Sequence, residues 1–127
     1  MKRSFLLKSM TIAAALCASL ATSTRGYAAD EEKTLTGEVV DLMCYVENGA
    51  KGDGHKSCAE KCIKGGGPVG LLSGDQVYLV VGDHKSMNEE LAPHAAKTVT
   101  LKGKVSERSG MKMITDAKLI TEAKLQK

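Results

Sequence analysis

Over residues 98–105 the chain alternates with a period of two. Val99, Leu101, Gly103 and Val105 fall on one face and Thr98, Thr100, Lys102 and Lys104 on the other, which predicts a strand with one side buried. Four more segments read as strands. Residues 34–45 mix Leu35, Val39, Val40, Leu42 and Met43 with Gly37 and Glu38, predicting a long first strand that is bent or bulged at the glycine and ends at Cys44. A short strand over 69–72, a turn at 73–75 and an apolar strand over 76–81 make a hairpin, and 111–120, weaker in pattern, supplies the last strand after a turn at 107–110. The tail after Thr121 is charged and is expected to fray.

Between the strands the pattern changes. Residues 47–54 hold three glycines and no apolar side chain larger than alanine, so they read as a loop. Ser57 followed by Glu60 has capping-box spacing and opens a short helix over 58–64, stopped by Gly65, Gly66, Gly67 and Pro68. Because these glycines follow the helix rather than precede it, they are its stop and not a phosphate cradle. Ser86 and Glu89 repeat the capping spacing for a second short helix, which Pro93 interrupts or ends. Five strands with a helix between the third and fourth is the order of the OB-fold, a small β-barrel. The expected class is therefore mainly β, a five-stranded OB-fold-like barrel over residues 34–121. A short cysteine-bearing helix is expected between strands one and two, and a second helix between strands three and four.

The N-terminus reads differently. Lys2, Arg3 and Lys8 precede an apolar run over 10–21 and then the small residues Gly26, Ala28 and Ala29. This is the three-part order of a cleavable export signal, and the run is too short for a membrane span. Cleavage after Ala28 puts Gly26 and Ala28 at the two positions that must be small, whereas cleavage after Ala29 would put Tyr27 at one of them. Leu16 before Cys17 argues against a lipoprotein. Residues 1–28 are thus expected to be removed, leaving a periplasmic or secreted domain with no membrane span.

Removal changes the charge. Lys2, Arg3, Lys8 and Arg25 leave with no acidic residue, so 14 basic face 15 acidic side chains, a formal charge of −1. With Tyr45 and Tyr78 as the only aromatics left, a stacking, backbone-tracking nucleic-acid surface is not expected. The chemistry narrows to a Cys/His cluster. Cys17 leaves with the signal, so Cys44, Cys58 and Cys62 remain, an odd number for an oxidising compartment. Cys58 and Cys62 are four apart and share a helix face, His55 stands three residues before Cys58, and Cys44 lies across the loop.

Three thiolates and one imidazole are a tetrahedral zinc set, and a helical thiolate pair also suits copper(I). Cys58 at the helix start would feel the positive end of the helix dipole, which favours the thiolate. The competing reading is a disulfide from Cys44 to Cys58 or Cys62, with a Cys58–Cys62 bridge disfavoured because both Cβ vectors tilt the same way along the helix. It leaves one thiol over. A thiol oxidoreductase ranks lower, since neither the spacing nor the fold matches that chemistry. Met43, Met111 and Met113 are expected to pack rather than ligate. His84 and His94 are expected at the surface, and Asp41 is either a partner that orients His55 or a solvated carboxylate.

The string Thr-Gly-Glu-Val-Val-Asp at 36–41, Cys44, then His55-Lys56-Ser57-Cys58-Ala59-Glu60-Lys61-Cys62-Ile63 running into Gly65-Gly66-Gly67-Pro68, and later Gly103-Lys104-Val105, resembles a group of small exported bacterial proteins. They share an OB-like domain and a Cys…His-x-x-Cys-Ala-x-x-Cys signature. The resemblance implies the fold and the compartment and carries no mechanism. No Ser/His/Asp set, paired carboxylates at a cleft or nucleotide motif occurs in the mature chain, so an enzyme is not expected. The expected function is binding of zinc or copper(I) by Cys44, His55, Cys58 and Cys62, in a structural, storage or delivery role. The alternative is a disulfide-stabilised binding or interaction module without metal, its partner a small ligand or a protein.

Overall fold

The structure is a computed structural model that describes residues 31–122; the export signal and its cleavage site lie outside the described residues. Its elements run β1 (Glu31–Asp41), α1 (Leu42–Asn48), a 3₁₀ turn (Asp53–His55), α2 (Lys56–Lys64), β2 (Val69–Ser73), β3 (Gln76–Val80), α3 (Asn88–Leu91), a second 3₁₀ turn (Ala92–His94), β4 (Thr98–Arg108) and β5 (Met111–Glu122). The strands close into a barrel in the order β1-β2-β3-β5-β4. All neighbours are antiparallel except β3 and β5, which run parallel. The OB-like barrel expected from the strand order is the fold.

Closure depends on β1 serving two partners. Residues Glu31 to Glu38 pair with β4, and Glu38 to Asp41 pair with β2. The strand changes partner next to Gly37, where a Cβ would stand 2.3 Å from the Leu72 carbonyl oxygen. No side chain fits between the strands there, so the glycine turns the barrel corner, a use typical of glycine in strands. The alternation over 98–105 is realised: Val99, Leu101 and Gly103 are buried and Lys102 and Lys104 exposed.

The core runs along the barrel axis through Val39, Val69, Leu71, Val80, Val99, Leu101 and Ile114. One end is closed by helices. Ala59 and Ile63 of α2 meet Leu91 of α3, Ala92 of the turn behind it and Ala95 just after that turn, all buried. Asn88 then clamps α2, its side-chain amide donating to the carbonyls of Ile63 (2.8 Å) and Gly67 (2.7 Å). α3 is one turn long, and Pro93 lies in the 3₁₀ turn that follows it, as a proline that stops an α-helix should.

Two expectations are corrected. The first strand stops at Asp41, and Met43, Cys44 and Tyr45 are helical. The cause is Asp41, whose carboxylate accepts a hydrogen bond from the Met43 amide at 3.1 Å and so caps a new helix. The capping box at Ser57 does not form. α2 begins at Lys56, two residues earlier than expected, as a continuation of the 3₁₀ turn, with the Lys56 amide bonded to the Asp53 carbonyl, and Glu60 pairs with Lys64 at 2.5 Å instead of reaching back.

Candidate metal centre

The site is built at the corner where β1 leaves the barrel. The Leu42 amide donates to the Pro68 carbonyl (2.9 Å), which ties the start of α1 to the segment after α2. α1 has seven residues and buries none of them; Met43 and Val46 are exposed. A helix this short is not stable by itself. It is held by the Asp41 cap, by Leu42 lying over Gly70, and by contacts of Cys44. Cys44 therefore stands on a weakly anchored helix, not at the end of a strand.

α2 is anchored firmly. Ala59 and Ile63 form its buried seam, and Cys58 and Cys62, each one residue earlier, form a second stripe about 100° round the helix. Gly67 closes tightly behind them: its amide donates to the Cys62 carbonyl at 2.9 Å, and a Cβ there would stand 2.8 Å from the same oxygen. Cys58 is the third residue of α2 and is exposed, while Cys62 is half-buried.

His55 ends the 3₁₀ turn that leads into α2. The loop before it is tied to the barrel, with the Gly52 amide donating to a Glu38 carboxylate oxygen and the His55 amide to the Gly52 carbonyl at 2.9 Å. The imidazole is half-buried, and its Nε2 is shielded from solvent with no hydrogen-bond partner among the described residues. A buried polar atom left unpaired costs about 1–3 kcal/mol. A ligand at that nitrogen would remove the cost.

These elements bring the four expected residues into one cluster with Cys44 at its centre. The thiol sulfurs of Cys44 and Cys58 and a ring nitrogen of His55 lie within 4.8 Å of one another. A carboxylate oxygen of Asp41 and the sulfurs of Cys44 and Cys62 form a second group within the same limit. In a tetrahedral thiolate site, sulfurs bound at about 2.3 Å are about 3.8 Å apart. The sulfurs in each group thus need to close by at most about 1 Å to share an ion. Cys44, Cys58 and Cys62 are all free thiols.

Asp41 departs from both expected roles. It is neither solvated nor a partner of His55: it is 1% exposed and accepts hydrogen bonds from the thiols of Cys44 and Cys62. That hydrogen bond, then burial, then the carboxylate's charge push the Cys44 thiol up to about 12. The Cys62 thiol is raised by the same hydrogen bond first, then by burial and by a hydrogen bond with Cys58. Both are protonated at neutral pH in the metal-free protein. A coordinated ion overrides this, since a metal-bound thiol gives up its proton outright.

The remaining candidates are placed apart from this chemistry. Met43 and Met111 do not pack as expected; they are 55% and 57% exposed. His84 is exposed as expected, but His94 is half-buried, at the end of the 3₁₀ turn whose Ala92 is in the core. No helix among the described residues is long and apolar enough to cross a membrane. No known protein family, no curated protein and no solved structure matches the chain.

Proposed function

We propose that this is an exported metal-binding protein that holds zinc or copper(I) through Cys44, His55 and Cys58, with Cys62 beside them as fourth donor. The observation that carries the reading is the convergence of two sulfurs and a ring nitrogen within 4.8 Å from three separate elements. The unpartnered His55 Nε2 supports it. So does α1, a helix with no buried residue that an ion shared with α2 would pin in place.

Storage or delivery fits better than a purely structural role, because structural zinc sites are closed whereas Cys58 is exposed to any incoming thiol. The N-terminal export signal supports a periplasmic or secreted location, and the protein is proposed not to be an enzyme. Metal content by mass spectrometry, with a thiol count on the denatured protein, tests the reading. About one ion or more per chain with three reactive thiols supports it; no metal with one thiol sinks it.

That second outcome would favour a disulfide-stabilised binding module. The Cys44 sulfur lies within 4.8 Å of the sulfurs of both Cys58 and Cys62, so either bridge is close at hand. A groove of about 640 Å³ lined by Gly82, Lys85, Met87, Glu90, Lys104 and Asp116 would then be the place to look for a small ligand.

A further inference from the structure

The donors at this corner exceed what one ion needs, and their arrangement is not that of one site with a spare. They form two groups of three that share one member, Cys44. The outer group adds His55 and Cys58 and opens toward solvent at Cys58; the inner group adds Cys62 and the buried Asp41.

Charge favours the second ion. One dication on Cys44, Cys58 and a neutral His55 ring compensates the two thiolates, leaves the Cys62 thiol protonated, and leaves the Asp41 carboxylate, 1% exposed, with its negative charge uncompensated. Uncompensated buried charge is strongly unfavourable. A second dication on Asp41 and Cys62 displaces the Cys62 proton and brings the sum over the five donors to zero. The groups from which Asp41 now accepts hydrogen bonds, the Met43 amide and two thiols, are neutral donors, and the thiol protons are those that a metal displaces.

Resting on the metal-binding reading above, we propose that the cluster takes two divalent ions bridged by the Cys44 thiolate. The outer ion sits on His55 and Cys58 and the inner ion on Asp41 and Cys62. Each ion has three protein donors and an open position for water or an incoming ligand. A carboxylate in the inner set favours a borderline divalent ion such as zinc over copper(I), which prefers soft donors alone. Two ions each about 2.3 Å from one sulfur are at most about 4.6 Å apart, close enough for loss of one to be felt by the other.

Anaerobic titration of the reduced protein with cobalt(II), followed by thiolate-to-cobalt absorption and by electron paramagnetic resonance, tests the proposal. Two equivalents are expected, and the second should lower the resonance signal per ion, because a bridging sulfur couples the two spins. Asp41→Asn keeps a side chain able to cap α1 and should bind one equivalent; Cys62→Ser, an independent removal of an inner donor, should also bind one. Circular dichroism establishes that each variant is folded. One equivalent in the parent protein overturns the two-ion proposal while leaving the single-site reading intact. Two equivalents in both variants, or two in the parent protein without signal loss, overturns the inner donor set or the Cys44 bridge. No cobalt bound by the parent protein overturns the metal-binding reading itself.

Discussion

Truncation of Ile63 should show how far the site depends on the seating of α2. Ile63 is fully buried in the core cluster, and its carbonyl is held by Asn88 at 2.8 Å. Ile63→Ala removes three carbons from that contact, about 2.4 kcal/mol at roughly 0.8 kcal/mol per buried carbon. The cavity left behind brings the expected loss to about 2–5 kcal/mol. For a domain of this size, whose total stability is of the order of 5–15 kcal/mol, this is a large fraction. In urea denaturation of the reduced, metal-free protein the midpoint should fall with little change in slope. Cys58 and Cys62 ride on the same helix, so zinc affinity should fall as well. Leu101→Ala, buried in β4, which carries none of the candidate ligands, should cost similar stability and leave zinc affinity closer to that of the parent. A loss below about 1 kcal/mol for Ile63→Ala, or equal zinc affinity in the two variants, would refute the view that this seam seats the thiols.

His55→Ala should weaken metal binding at least tenfold in a chelator-competition assay, with little change in the stability of the metal-free protein; unaltered affinity removes His55 from the site. The Cys44 thiol is raised from its ordinary value of 9.0 to about 12, so the folded protein holds that proton more tightly than the unfolded chain does. Metal-free protein should therefore lose stability as pH rises from about 9 to about 12, and Cys44→Ser should show a smaller loss over that window in thermal melts; identical pH profiles would contradict the assignment. Gly37→Ala puts a Cβ 2.3 Å from the Leu72 carbonyl oxygen and should destabilise by about 1–3 kcal/mol, as overpacking does. A neutral effect in a denaturation curve would mean that the β1–β2 corner has room to spare.

The barrel was legible in the sequence because its signals are local. The period-two pattern of β4, the punctuation at 73–75 and 107–110 and the glycine stop after α2 each act within a few residues. Gly37 was recognised as a bend, but not the reason for it, because the Leu72 carbonyl that excludes a side chain is far along the chain. α1 was missed because Leu42, Met43 and Tyr45 continue the apolar run of Val39 and Val40, so composition reads straight through the boundary. Its signals were present: Asp41 as a cap residue and Gly49, whose φ of 68° ends the helix.

The candidate ligands could be named from residue type and helical spacing. The part played by Asp41 could not, since its burial depends on how the corner packs against the segment after α2. The same corner splits the donors into two groups around Cys44, a division that linear spacing does not contain.

X-ray absorption at the metal edge, on protein purified without chelator, reports directly on the ligands. A sulfur shell at about 2.3 Å together with the outer-shell scattering of an imidazole ring, the latter lost in His55→Ala, is the result expected of a Cys/His centre. A shell of oxygen and nitrogen alone would show that the thiols of Cys44, Cys58 and Cys62 do not bind the ion, and would contradict the assignment of this corner as the metal site.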